Sequence, residues 1–199
     1  MRMRSVVAQD RAVILGLLCR VRVFTEEEIA CATEILDIYL SKPTPKDYDF
    51  FCCTDSAEAF CGFVCFGKVP LTDAVYDLYW IAVDSGVQNR GVGKALLRHL
   101  DDMLLAKAAR MLLAETSSKV SYGKTRAFYV RSGFTEIARI PDFYAENDDK
   151  IVFAKFYSLY ERRRKNQWTA IKDPADLGEM QPTSSGMIGI GRFETALEP

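Results

Sequence analysis

The sequence predicts a mixed α/β fold, with a mostly antiparallel sheet of about seven strands flanked by about four helices. Three observations predict it. Three strand-like runs follow in quick succession between residues 48 and 83. After Val83 the hydrophobic period switches from two to 3.6 residues. Glycines at 86, 91 and 93 mark the switch, where a strand hands over to a long helix.

Met3–Ala8 is short and part β-branched, a plausible first strand, and Asp10 can cap a helix running to about Leu18. Thr25 followed by Glu26, Glu27 and Glu28 starts a second helix, because a hydroxyl caps free amides and carboxylates favour the positive end of the dipole. Ile29, Leu36 and Leu40 recur at helical spacing, and Pro43 and Pro45 close the segment. Tyr48–Cys53, Phe60–Phe66 and Ala74–Val83 read as a meander joined by turns at Thr54–Glu58 and Gly67–Asp73. Gly91–Arg110 reads as one helix with Leu96, Leu100, Met103 and Leu104 inward. Met111–Thr116 is the next strand, and Tyr122–Ser132 a helix stopped by Gly133. Phe134–Ile140 and Lys150–Tyr157 form a hairpin across the loop Pro141–Asp149.

From Ser158 onward no period persists. Residues 1–157 are therefore expected to form the folded domain and 158–199 a tail, helical at first and then loosely ordered. The basic run Arg162–Lys165 reads as a solvated helix end rather than a nucleic-acid signal, since six basic and six acidic residues balance from Ser158 to Pro199.

Bulk composition supports a soluble protein. Of 199 residues, 49% are hydrophobic and 27% charged, and the net charge of -1 gives no reason to expect nucleic acid as a partner. The apolar run Ala12–Leu18 is flanked by Asp10, Arg11, Arg20 and Arg22 and has no small-residue cleavage site, so it reads as a buried helix rather than a signal peptide. No apolar stretch approaches the roughly 18 residues of a spanning helix, and no membrane partner is expected. The six cysteines contain no C-x-x-C pair, so neither metal nor redox chemistry is expected; buried free thiols suit a reducing, cytoplasmic setting.

The glycine stretch carries the chemistry. A strand ending at Val83, then Gln88-Asn89-Arg90-Gly91-Val92-Gly93 opening a helix, places successive amides and a helix dipole around one point, which suits an anion. A dinucleotide fingerprint would need glycine at 96, where Leu96 stands. A P-loop would need Lys-Ser or Lys-Thr after Gly91, where Val92-Gly93 stand.

What remains, Gln88-x-x-Gly91-x-Gly93 after an apolar strand, resembles the pyrophosphate loop of the GNAT superfamily of N-acetyltransferases. Thr125-Arg126-Ala127-Phe128-Tyr129-Val130-Arg131-Ser132-Gly133-Phe134 is similar to that family's second segment, and Asp77–Asp84 to its central strand. The resemblance covers about Ser5 to Phe156. It implies a sheet splayed between the fourth and fifth strands, acetyl-CoA as acyl donor, no metal, and a small-molecule or peptide amine as acceptor, in a monomer or homodimer. It also implies roles. Backbone amides from Gln88 through Asn89, Arg90, Gly91, Val92 and Gly93 to Lys94 would hold the pyrophosphate; Arg90 and Lys94 could add charge. Ile81, Ala82 and Val83 would pair with the pantetheine arm like an added strand.

Tyr129 matches the family position whose hydroxyl protonates the departing thiolate, a role that suits a phenol. Tyr122, Arg126 and Tyr129 fall at i, i+4 and i+7 and would share a face toward the cofactor. Tyr122 stands where the family commonly carries an Asn that contacts the cofactor. An amine with a pKa near ~10.4 must lose a proton before attack. Glu115, at the end of the fifth strand, is the first candidate base, with Asp77 and Asp84 next. The carboxylates of the loop Pro141–Asp149 could attract a cationic amine. His99 lies about 9 Å along the helix from Gly93 and reads as a surface or packing residue. The alternative is a catalytically weak acyl-CoA-binding sensor or interaction domain on the same fold.

Overall fold

The structure, a computed structural model, describes residues 1–21, 23–41 and 47–157. Its elements run β1 (Arg2–Ser5), α1 (Arg11–Val21), α2 (Glu26–Ser41), β2 (Asp49–Thr54), β3 (Phe60–Lys68), β4 (Val75–Val83), α3 (Val92–Ala106), β5 (Met111–Ser117), α4 (Gly123–Arg131), β6 (Thr135–Ala145) and β7 (Asp148–Phe156). The seven strands form one sheet in the order β1-β2-β3-β4-β5-β7-β6. Every pairing is antiparallel except β4 with β5. The expected α/β class, strand number and helix number are all found.

Helices cover both faces. On one, Leu96, Leu100 and Leu104 of α3 pack with Val64, Phe66, Leu78 and Leu112; on the other, Leu17 of α1 and Leu36 of α2 pack with Phe50, Phe63 and Cys65. Period-two alternation along β3 sends Phe63 and Cys65 to one layer and Val64 and Phe66 to the other. Each is at most 1% exposed, so β3 is the middle of the sandwich. The six cysteines are free; four are buried in this core, but Cys19 and Cys31 are exposed, against the expectation that all would be buried.

The capping at Thr25 is reciprocal. Its hydroxyl accepts from the Glu28 amide at 3.2 Å while the Glu28 carboxylate accepts from the Thr25 amide at 2.7 Å. Asp10 does not cap forward as expected. Its carboxylate looks back, accepting from the Val7 amide and from both terminal nitrogens of Arg4. The third helix ends at Ala106, before the expected Arg110, because Ala108 turns through the left-handed region (φ 52°) and the Arg110 amide then joins the carbonyl of Ala74.

The largest difference is at the end of the sheet. The expected loop Pro141–Asp149 is mostly strand: β6 runs to Ala145, β7 starts at Asp148, and the turn is tight. Pro141 is tolerated because β6 is an outer strand and its register breaks between Ile140 and Ala145. Pro43, Pro45 and the whole expected tail 158–199 lie outside the described residues.

Candidate active site

The parallel pairing of β4 with β5 covers only Val75↔Met111 to Leu78↔Ala114. Beyond it, Ile81, Ala82 and Val83 pair with β3 alone, and Glu115, Thr116 and Ser117 with β7 alone. The two strands therefore part after Leu78, and among the described residues the β5-facing backbone edge of residues 79–83 has no strand partner. A bulge sits at the same place: Cys65 pairs with Trp80 and Phe66 with Leu78, leaving Tyr79 as an extra residue on β4. The splay that the sequence implied between the fourth and fifth strands is present.

The turn after β4 is fixed by Asp84. Its carboxylate accepts from the Gly86 amide at 2.9 Å and from Arg20 at 2.6 Å, and these partners, the guanidinium first, hold it below the usual carboxylate range. Asp84 is thus engaged in building the loop. Past it, Val87 donates to the carbonyl of Asp84, Arg90 to that of Val87 at 3.4 Å, and Ala95 to that of Gly91. Among the described residues the amides of Gln88, Asn89, Gly91, Val92, Gly93 and Lys94 have no acceptor, a loop-plus-helix-start set of free donors. Gly91 adopts φ 81°, and a Cβ built on it meets nothing within 4 Å. A Cβ on Gly93 would meet Phe128 and Val83 only at ordinary contact distance. Arg90 and Lys94 are exposed and make no ion pair among the described residues.

Tyr129 lies on α4, on the α3 side of the sheet, 5% exposed. Its ring centroid is 5.3 Å from Phe134 and 5.6 Å from Phe153. Its hydroxyl makes no hydrogen bond among the described residues, and burial pushes its ionisation well above the ordinary tyrosine range. Gly133 ends the helix in the expected manner, at φ 89°, with the Phe134 amide donating back to the Tyr129 carbonyl.

On the opposite sheet face, Asp77, Glu115 and Lys150 alternate with the core residues Leu78, Ala114 and Ile151. Lys150 pairs with Glu115 at 2.5 Å and lies 4.7 Å over the ring of Phe143. Asp77 is pushed up to about 6, by burial first and by the charge of Glu115 second, against the opposing pull of Lys150. Sequence reasoning missed Lys150, which becomes a neighbour of Glu115 only through the antiparallel β5–β7 pairing, in which it stands opposite Ser117. His99 packs edge-on against Phe51, centroids 5.3 Å apart, as a packing residue does.

Two expectations about side-chain direction change. Tyr122 precedes α4 in a short 3-10 turn, Val120–Tyr122, and its hydroxyl donates to the Glu28 carboxylate at 2.8 Å. Arg126 donates to the carbonyls of Ser117 and Lys119 at 2.7 and 2.8 Å, bracing the turn after β5. The expected common face of Tyr122, Arg126 and Tyr129 is broken, because the chain is continuously α-helical only from Gly123. Three of the four carboxylates in the late hairpin also have internal partners. Asp148 is buried, accepts from the Ser117 hydroxyl and pairs with Lys119 at 3.0 Å. Asp149 holds Arg139 and the Asp142 amide, and Asp142 accepts from the Asn147 amide. Phe143 and Tyr144 remain exposed.

The split sheet, the free loop amides, the buried tyrosine on one face and the carboxylate pair on the other are the features expected of an acyltransferase. The family model described as an acetyltransferase (GNAT) domain matches residues 46–136. A GNAT-family protein from Desulfovibrio desulfuricans is 35% identical, with 78% of this chain and 98% of that one covered and a TM-score of 0.74. The chain belongs to the GNAT family of acetyltransferases. Two further solved structures share the fold. The ribosomal-protein-S18-alanine N-acetyltransferase from Escherichia coli is 24% identical (79% and 94% covered, TM-score 0.63). An aminoglycoside 6'-N-acetyltransferase complexed with coenzyme A is 14% identical (78% and 97% covered, TM-score 0.59). No curated protein matches the chain in sequence. Among the described residues no helix is long and apolar enough to cross a membrane.

Proposed function

We propose that this acetyltransferase transfers an acetyl group from acetyl-CoA to a primary amine by direct attack within a ternary complex. The observation that carries the reading is the row of six free amides from Gln88 to Lys94 running into the partnerless edge of β4. A pyrophosphate suits the first, since close backbone approach needs the bare Cα atoms of Gly91 and Gly93 and the helix start adds partial positive charge. An amide-bearing chain such as pantetheine suits the second, because it can complete the hydrogen bonding of residues 81–83 as a strand would. Arg90 and Lys94 are assigned exposed phosphate contacts.

Acetyl-CoA supplies an activated thioester; the chain's own groups orient it and move protons. Tyr129 is assigned the role of general acid to the leaving thiol. Its hydroxyl has no competing acceptor among the described residues, and its raised ionisation keeps the proton in place at neutral pH. Free amides along the β4 edge polarise the carbonyl. The amine's proton passes to the carboxylate pair on the other face. Spacing alone puts Glu115 first, but Glu115 is tied to Lys150, whereas Asp77 sits near 6, where a base is both ionised and effective at neutral pH. We therefore assign the proton to Asp77, with Glu115 and Lys150 setting its charge environment. Arg126 is assigned to hold the turn that carries Ser117 and Lys119. The acceptor is a small-molecule or peptide amine met on the Asp77 side, in a cytoplasmic monomer or homodimer whose domain spans residues 1–157.

The test is thiol release from acetyl-CoA with a panel of primary amines, with product mass measured. Turnover with N-acetylated product and no acetylated enzyme supports direct transfer. Tight CoA binding without turnover by any amine supports the sensor alternative and overturns this reading.

A further inference from the structure

The α1–α2 connection and the start of α4 belong to different layers. α1 and α2 pack on one face of the sheet, while α3 and the buried Tyr129 of α4 pack on the other. A side chain joining them must pass over the end of the sheet where β4 and β5 have parted. Tyr122 does this. Its hydroxyl stands 2.8 and 2.9 Å from the two Glu28 oxygens and 3.2 Å from the Val23 carbonyl. One phenol proton cannot serve all three; the carboxylate, charged and nearer, takes it, and the Val23 carbonyl is the alternative acceptor. Glu28 is itself fixed from behind, since its Oε2 accepts from the Thr25 amide. The contact is a defined strap between the first turn of α2 and the turn that enters α4.

The strap overlooks the acceptor side. The Tyr122 amide donates to the Lys119 carbonyl, and Lys119 pairs with Asp148 at 3.0 Å, two residues before the Lys150 that pairs with Glu115, so the strap stands at the end of β5 that carries Glu115. Asp148 is matched by Lys119 and Glu115 by Lys150.

We propose that Tyr122 is a positioning residue for the acceptor: its hydrogen bond to Glu28 latches residues 23–28 across the open end of the β4–β5 split, shaping the amine's entry while leaving CoA binding to the loop at 88–94. This rests on the assignment of the Asp77–Glu115 face to the acceptor. It also accounts for the chain carrying Tyr at 122: the side chain reaches away from the cofactor loop and toward α2.

The experiment compares full-length wild type, Tyr122→Phe, Glu28→Ala and Glu28→Gln. For Tyr122→Phe and Glu28→Ala the acceptor KM should rise about tenfold, the equivalent of one lost charge-assisted hydrogen bond. The Kd for CoA should stay within about twofold of wild type on that footing. Glu28→Gln keeps an oxygen that can accept from the phenol and should recover most of the loss. Amide hydrogen exchange across residues 23–28 should speed up in Tyr122→Phe whether or not an amine turns over, which separates failure of this proposal from failure of the acetyl-transfer reading. A weakened CoA Kd with an unchanged acceptor KM would place Tyr122 in the donor site and overturn the proposal. Unchanged exchange across residues 23–28 would overturn it as well.

Discussion

Replacing Tyr129 by Phe should leave the protein's stability nearly unchanged and make the enzyme slower, and the separation of the two effects makes it a sharp test. The ring's contacts to Phe134 and Phe153, at 5.3 and 5.6 Å between centroids, involve the aromatic face and survive the change. The atom removed is a hydroxyl with no hydrogen bond among the described residues, in a side chain 5% exposed. The oxygen is not among the fully buried atoms without a partner, so water can satisfy it, and deleting it should change stability by less than about 1 kcal/mol. For a domain of this size that keeps Tm within about 2 to 4 °C of wild type, measurable by differential scanning calorimetry in the absence of CoA. Loss of the proton donor to the thiol should lower kcat about a hundredfold, or about 2.7 kcal/mol of barrier, read by steady-state thiol release. CoA affinity should not change. Because burial raises the phenol's ionisation, wild type should also show no alkaline limb from Tyr129 below about pH 10. A Tm that falls by several degrees with kcat intact would refute the reasoning, since the hydroxyl would then be structural and its proton idle.

Gly93→Ala should keep its fold and lose CoA. The added methyl meets Phe128 and Val83 at ordinary contact distance, so Tm should hold within about 2 °C, while the CoA Kd measured by calorimetry should weaken at least about tenfold if a phosphate lies against that Cα. Gly91→Ala should instead lose about 1 kcal/mol of stability, since φ 81° is strained for any residue with a Cβ. Asp77→Asn should remove the acid limb near pH 6 from the kcat/KM profile; if Glu115→Gln removes it instead, Glu115 is the base. The sign for stability follows from the upward shift of Asp77. Ionising it in the fold is unfavourable, so wild type should lose about 1 to 2 kcal/mol between about pH 4 and 6. Asp77→Asn should be more stable than wild type at pH 7 and equal to it at pH 4, by chemical denaturation. Deleting residues 162–199 should leave Tm and thiol release unchanged if the domain ends near residue 157, where Tyr157 is tied to Asp101 at 2.7 Å and to the Arg110 carbonyl.

The parts of this fold that were legible in the sequence are those set by local periodicity and local hydrogen bonds. The alternation in β3, the capping box at Thr25 and the positive-φ stop at Gly133 each depend on residues a few positions apart. What was not legible depends on pairing between distant strands. Lys150 reads as an ordinary charged residue at the start of a strand until β7 is laid against β5 and brings it to Glu115. Asp148 reads as a turn residue, yet Ser117 and Lys119 fill its coordination from a segment about thirty positions away, and the β6–β7 hairpin is thereby welded to the end of β5. Tyr122 leaves the face expected from i, i+4, i+7 spacing for a local reason. That spacing holds on one continuous α-helix, and the turn before Gly123 is 3-10, which rotates Tyr122 off the shared face.

In the proposed reaction, the bulge at Tyr79 lets one strand serve both substrates. Up to Leu78, β4 is held on both edges, by β3 and by β5. An extra residue on one strand of an antiparallel pair bends that strand and increases its local twist. Placed immediately after the last β5 partner, it carries the rest of β4 along β3 and away from β5. Asp77, just before the bend, stays in the fully paired sheet, where burial and Glu115 raise its pKa. Residues 81–83, just after it, keep β3 on one side and present a bare backbone edge on the other. The proposed base and the proposed donor-binding edge are therefore separated by a few residues of one strand, and their relative position is fixed by the bulge. A residue inserted or deleted at Tyr79 would invert the alternation of β4 beyond it, moving Ala82 into the α3 layer and Ile81 and Val83 into the α1–α2 layer, and should abolish CoA binding and soluble folding together.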